Sequence, residues 1–335
     1  MPRKDIIVIG ASAGGIEPIR AILRDLPADF PGSLFIVVHT SPESPGVLHA
    51  ILDKAGKLPA DVIEDGGRIV PGRIYVAPPD RHLIIEPGRT CLTRGPKENR
   101  FRPAVDPLFR SAAQTYGPRA VGIILSGGLD DGTSGLQTIK QLGGTTIVQD
   151  PHEAWAASMP ESAMQHVRVD HVLRADEIAP LLVRLAATET DPQEGEQAVP
   201  EDVSVSIEVN IAKADKATDA GVLRLGDPSN YACPECHGVL LRMKDGTPLR
   251  FRCHTGHAYS VESLLAEMDE AIEETLWSAI RAMEERVMLI RHASEHPASS
   301  ADAAGLLSRA AETQRRAEVV RQVVFQGESR KVQST

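Results

Sequence analysis

Two groups of residues in this chain have the types and spacing that chemistry needs. The first reads Cys233-x2-Cys236, then sixteen intervening residues, then Cys253-x3-His257. Thiolates and an imidazole paired on tight turns, joined by a segment of hairpin length, form the donor set of a tetrahedral zinc site. Cys233, Cys236, Cys253 and His257 are the expected ligands, with His237 and His254 as alternatives for the fourth position. Four protein ligands leave no open coordination position, so the expected Zn²⁺ is structural. It would supply folding free energy to a segment too small to bury much core.

The second group is Gly10-Ala11-Ser12-Ala13-Gly14, which follows an apolar run and precedes an amphipathic stretch. A dinucleotide loop wants glycine where Ser12 stands, so that the backbone can approach a pyrophosphate. The pattern G-x-S-x-G instead permits a sharp strand-to-helix turn that exposes a hydroxyl. A phosphate-binding turn and a nucleophile both remain open on this pattern alone. The following helix N-terminus offers free N–H groups where an oxyanion would form. A serine nucleophile needs a base, and the run LFIVVHT ends at His39. It also needs a carboxylate to orient the imidazole, and SGGLDDGTSG supplies Asp130 and Asp131.

These residues work together only if strand ends bring them to one edge. Strand-like runs at 5–9, 34–39, 73–77, 120–125, 145–149 and 171–173 alternate with helical patterns at 15–26, 45–55, 103–116, 132–142, 161–166 and 175–187. That alternation predicts an α/β, doubly wound, mostly parallel sheet with helices on both faces. The stretch 72–95 reads as a β-hairpin excursion. Ligands and catalytic groups of such sheets collect at the carboxyl ends of adjacent strands, which is where Ser12, His39 and Asp130–Asp131 fall.

Four segments follow: a catalytic-type domain over 1–187, an acidic linker over 188–229, a zinc ribbon over 230–259, and an amphipathic helical tail over 260–327. TETDPQEGEQAVPED lacks aliphatic periodicity, and SVSIEVNIAKA reads as an edge strand or a segment packed on the first domain. Leu264, Met268, Ile272, Leu276, Met283 and Val287 recur at helical steps. A second run over 306–325 suggests a helical hairpin or partner-binding helices.

Among 335 residues the net charge is −10, which argues against general nucleic-acid binding. Four cysteines in such a length do not make a disulfide framework. Neither a signal peptide nor a run of about 18 apolar residues is present, so membrane insertion is not expected and the cytoplasm is the expected location.

Taken together, IGASAGG at 9–15, VVHTSPES at 37–44, IYVAPPDRHL at 74–83, RPAVDPLFRSAA at 102–113, ILSGGLDDGTSGL at 124–136 and QDPHEAWAASMPESA at 149–163 resemble the catalytic domain of chemotaxis protein-glutamate methylesterases, the CheB family. The resemblance covers about residues 5–187. It implies a Ser–His–Asp hydrolase that removes methyl groups from glutamate γ-methyl esters on chemoreceptors, some members also deamidating glutamines, with no cofactor needed for catalysis. It makes Ser12 the nucleophile, His39 the general base and Asp131 the carboxylate, with oxyanion donors among the N–H groups of Ala13, Gly14, Gly127 and Gly128.

Several positions depart from the family pattern. Ala13 stands where a threonine is common, Thr40 where a methionine follows the histidine, and the loop before Asp131 lacks the usual T-G-M-G-x-D-G. Family members usually carry a receiver domain ahead of this one. A chain starting at the first catalytic strand is expected to be regulated otherwise, with the C-terminal half as the candidate. A methylated chemoreceptor or related signalling protein is the expected partner, and a methyltransferase or other signalling protein is a candidate for the tail. A non-catalytic scaffold of the same fold is the alternative reading.

Overall fold

In a computed structural model of the chain, which describes residues 3–187, 202–213, 217–244, 248–295 and 300–333, the apolar runs become parallel strands. These are β1 (Ile6–Ala11), β2 (Ser33–Val38), β3 (Ala60–Val62) and β4 (Ile74–Val76), then the antiparallel hairpin β5 (His82–Glu86) and β6 (Arg89–Thr93), then β7 (Ala120–Ile124), β8 (Thr145–Gln149) and β9 (His171–Leu173). Apart from the hairpin they form one sheet in the order β3-β4-β2-β1-β7-β8-β9, every pair parallel. The order reverses direction at β1, so β2 and β7 flank it on either side.

Strand β1 is buried on both faces, which explains its continuous apolar run. Ile7, Ile9 and Ala11 pack with α1 (Ile16–Asp25), α2 (Leu48–Asp53) and, from later in the chain, residues 178–186. Ile6 and Val8 face the opposite layer of α3 (Val105–Tyr116), α4 (Thr133–Gln141) and α5 (Ser158–His166), which also takes the β5–β6 hairpin. The last helix of this α/β part is α6 (Ala175–Ala187).

Beyond it the structure departs from the expected linker. Residues 188–201 lie outside the described residues, but α7 (Val203–Lys213) is a buried helix where alternation suggested an edge strand. Val205 and Val209 bury against Ile84, while Ile207 and Ile211 bury against Val222, Leu225 and Leu241. With apolar groups wanted on two sides, an alternating pattern serves a helix as well as a strand. A single turn, α8 (Ala217–Ala220), leads to an antiparallel sheet of β10 (Gly226–Ala232), β11 (Val239–Met243), β12 (Arg250–Cys253) and β13 (Ala258–Ser260).

Two compact units result, Met1–Leu264 and Leu265–Thr335. The first includes the cysteine-bearing sheet, which packs on the α/β core. The second consists of the remainder of α9 (Val261–Ser294) and α10 (Ser300–Gln333). Trp277 meets Phe325 edge-on at 6.0 Å, while Val287 and Ile290 pack on Leu306 and Ala310. Contact positions that rise along one helix and fall along the other make an antiparallel helical hairpin. Among the described residues, no helix is long and apolar enough to cross a membrane.

Candidate active site and metal-binding cluster

Adjacent parallel strands deliver the three expected catalytic residues to one edge. Ser12 follows the last residue of β1, His39 follows the last residue of β2, and Asp131 sits in the loop between β7 and α4. The His39 amide donates to the Ala11 carbonyl at 3.2 Å, extending the β1–β2 pairing to the histidine itself. Ser12 and His39 line one open cleft of about 580 Å³, with Ile16, Val47, Leu48 and Ile51 on its apolar side. The turn after Ser12 is tight because Gly14 takes φ +73°. The serine itself keeps an ordinary φ, so the strain of the turn is carried by glycine.

His39 Nε2 and Asp131 Oδ2 are 2.8 Å apart, with both side chains buried. Pairing with a carboxylate assigns the proton to Nε2 and leaves Nδ1 as the basic nitrogen, a buried atom with no hydrogen-bond partner among the described residues. Asp131 in turn is held from every side. Its Oδ2 accepts from the Val105 amide at 2.6 Å, and its Oδ1 accepts from the Asp106 amide at 3.3 Å and from Asn99 Nδ2 at 2.9 Å. Val105 and Asp106 open α3, so the carboxylate lies at a helix N-terminus. Burial works to raise its pKa, but the bonds from His39, Val105 and Asn99 win and hold it below the usual carboxylate value.

The oxyanion expectation needs one correction. The Gly127 N–H donates to the Ala156 carbonyl at 2.9 Å, so it is not free to meet a developing oxyanion. Gly127 acts by being small instead. A Cβ there would lie 2.1 Å from Met159 Sδ and 2.9 Å from Ser12 Cβ. The amides of Ala13, Gly14 and Gly128 make no hydrogen bond among the described residues and remain candidate donors.

Several residues near the site are invisible to motif reading. Phe101 stacks on His39 with ring centroids 3.6 Å apart. Asn99 and Arg100 take φ +49° and +79° in a tight turn whose ends, Glu98 and Phe101, exchange backbone hydrogen bonds. Positive φ at both central residues is the type I′ signature, and Asn favours it, but one Asn in a loop gives no signal for catalysis. Asp130 accepts from Ser260 Oγ at 2.6 Å, and burial foremost raises its pKa to about 6. His82 is buried between the Pro96 carbonyl and the Ala104 amide, a structural role. Arg110 and Asp106, one turn apart on α3, stand 3.9 Å apart. The arginine's closer partners are Glu98 and, at 3.0 Å, Glu208.

The four predicted metal donors come together. Cys233, Cys236, Cys253 and His257 offer ligand atoms that all lie within 4.8 Å of one another. Cys236 Sγ and Cys253 Sγ are 3.6 Å apart, and His257 Nδ1 is 3.7 Å from Cys233 Sγ and 3.6 Å from Cys253 Sγ. A tetrahedron with metal–sulfur bonds of about 2.3 Å has edges of about 3.8 Å, so the set fits one metal ion. Two turns shape it: the His237 amide returns to the Cys233 carbonyl, and the Gly256 amide to the Cys253 carbonyl.

Comparison with known proteins agrees with this geometry. Residues 7–182 match the family model described as CheB methylesterase. A Leptospira interrogans protein, given the activities protein-glutamate methylesterase/protein-glutamine glutaminase provisionally in its name, is 41% identical over 54% of this chain and 94% of its own length. A protein-glutamate methylesterase/protein-glutamine glutaminase of Anaeromyxobacter dehalogenans is 39% identical over 52% of each chain, so this chain spans about half of that relative. The crystal structure of the Thermotoga maritima CheB methylesterase catalytic domain superposes with a TM-score of 0.52 and 35% identity, covering 54% of this chain and 98% of that one. The family model spans more than half of the chain, and the chain belongs to the CheB methylesterase family.

Proposed function

We propose that this protein is a protein-glutamate methylesterase that hydrolyses glutamate γ-methyl esters on chemoreceptors or related signalling proteins by a Ser–His–Asp mechanism. The observation that carries it is the 2.8 Å His39–Asp131 pair at the strand edge it shares with Ser12. His39 Nδ1 takes the Ser12 proton as Oγ attacks the ester carbonyl, and Asp131 stabilises the imidazolium from the Nε2 side. The amides of Ala13, Gly14 and Gly128 receive the oxyanion. His39 then returns the proton to the leaving methoxide, giving methanol, and water attacks the Ser12 ester to release glutamate. With ammonia as the leaving group, the same steps deamidate glutamine, the second activity named for the relatives.

No metal takes part in these bond-making and bond-breaking steps. The Cys233, Cys236, Cys253 and His257 set would hold a structural Zn²⁺, whose work is to fold the segment that carries them. An acidic chain among whose described residues no helix is long and apolar enough to cross a membrane suits a cytoplasmic enzyme, and the helical hairpin offers a surface for a methyltransferase or another signalling protein. Methanol release from methylated receptor cytoplasmic fragments tests the reading. Wild-type protein releases it, and Ser12→Ala lowers the rate by about 10⁴-fold or more. Release that survives Ser12→Ala would overturn the nucleophile assignment.

A further inference from the structure

The cysteine-bearing sheet ends against the residues that hold the triad. His257, a metal donor, is followed at once by β13. The Ala258 carbonyl accepts from the Asn99 amide at 2.8 Å, and the Ala258 amide donates to the Lys97 carbonyl at 3.2 Å. The Ser260 amide donates to Asn99 Oδ1 at 3.0 Å and Ser263 Oγ donates to it at 3.1 Å. Both lone-pair sites of that side-chain carbonyl are thereby filled, which aims the amide NH₂ of Asn99 at Asp131 and Asp106. Lys97 adds an ion pair to Glu235, between the first two cysteines, at 2.7 Å. The turn gripped in this way is the one whose Phe101 stacks on His39. One four-residue turn therefore touches two triad members on one side and the metal-binding segment on the other.

The geometry points to the metal-binding segment as part of the catalytic scaffold: through β13 and the 98–101 turn, Asn99 and Ser260 are positioning residues for Asp131 and His39. Hydrolysis thus depends on a metal that never meets the substrate. The inference rests on Ser12, His39 and Asp131 being the triad. Misplacement of a general base by about 1 Å costs on the order of 100-fold in rate, so a loosened turn is readily detected.

The test uses the full chain loaded with Zn²⁺, the same chain after chelation, and Ser260→Ala and Asn99→Ala, neither of which removes a metal donor. Three quantities are read: metal content, labelling of Ser12 by a serine-directed phosphonate, and amide hydrogen exchange over 97–101. Chelation is expected to speed exchange at Asn99 and Phe101 and to slow labelling at least tenfold, both reversed by added Zn²⁺. Both variants are expected to hold metal at the wild-type ratio and to lower kcat with KM unchanged, since neither lines the cleft. Ser260→Thr, which keeps the hydroxyl, restores the rate. Unchanged exchange and labelling after chelation, or variants with wild-type kcat, overturn the proposal. Loaded wild-type protein that never labels at Ser12 overturns the triad reading beneath it, while exchange still reports whether the metal orders the turn.

Discussion

Phe101 lies flat on the imidazole of His39, ring centroids 3.6 Å apart and planes within 7° of parallel. The stack fixes the plane of the His39 ring, while Asp131 fixes its rotation through Nε2. Ring pairs of this kind contribute about 0.5–1.5 kcal/mol beyond burial. Phe101→Ala is expected to lower kcat by roughly 2- to 13-fold with KM little altered, measured as methanol release under saturating substrate. A raised KM with kcat intact would instead place Phe101 in substrate binding.

Gly127 and Met159 make a second pair to test. A methyl at 127 meets Met159 Sδ at 2.1 Å and Ser12 Cβ at 2.9 Å. Overpacking of this kind costs about 1–3 kcal/mol and displaces whichever neighbour yields first. Gly127→Ala is expected to slow phosphonate labelling of Ser12, and Met159→Ala added to it is expected to recover part of the rate by opening space. No recovery in the double variant would show that the loop backbone, rather than the thioether, is what moves.

Glu208 on α7 sits among three buried arginines. It pairs with Arg250 at 2.8 Å, Arg110 at 3.0 Å and Arg252 at 3.4 Å, while Glu98 also takes Arg252 at 3.1 Å. Arg110 belongs to the α/β part and Arg250 and Arg252 to β12, so the glutamate ties the two together through charges that have no water to fall back on. Burial raises the pKa of Glu208, but the three guanidiniums lower it much further, keeping it ionised. Glu208→Ala strands those cations and is expected to cost about 3–5 kcal/mol in urea unfolding. A loss below about 1 kcal/mol would mean that water enters the cluster.

Asp106 gives the stability a pH dependence of definite sign. Burial first, and the neighbouring Asp131 carboxylate second, raise its pKa to about 7. Between about pH 4 and 7 the folded protein therefore keeps a proton that the unfolded chain has released, and unfolding free energy falls as pH rises through that window. Asp130, raised to about 6, acts with the same sign over a narrower range. Buried His82, whose pKa is lowered by burial, acts oppositely below about 6.5, and the depressed Asp131 contributes its change only in acid. The informative quantity is thus the difference between wild type and Asp106→Asn. Wild type's relative stability is expected to shrink from pH 4.5 to 7.5, and a constant difference would show Asp106 ionised throughout.

How much of this was legible beforehand differs by residue. Ser12, His39 and Asp131 each end or follow an apolar run, and a parallel sheet gathers such ends whatever the details of packing. The metal donors were equally local: two short turns set the spacing of each pair, and only the meeting of the pairs needed the fold. For α7 the packing on the first domain was legible but the helix was not, because Val205, Ile207, Val209 and Ile211 alternate like a strand, whereas the helix is wedged between two apolar surfaces and buries residues on both. Gly127 reads as a donor from its neighbourhood, yet its amide direction depends on Ala156, twenty-nine positions away in the chain.

Sequence alone therefore determined the alternating elements of the α/β part and the candidate catalytic and metal-donor residues, because these follow from periodicity and from spacings of a few residues. Tertiary structure decided which carboxylate faces His39 and which nitrogen of the ring is left basic. It also joined Asn99, Phe101 and Ser260, residues up to 161 positions apart, around one turn, and gathered Glu208 with Arg110, Arg250 and Arg252. The physical reason is that hydrogen bonds and buried ion pairs are satisfied by whatever comes near in space, and no local pattern in the chain records that nearness.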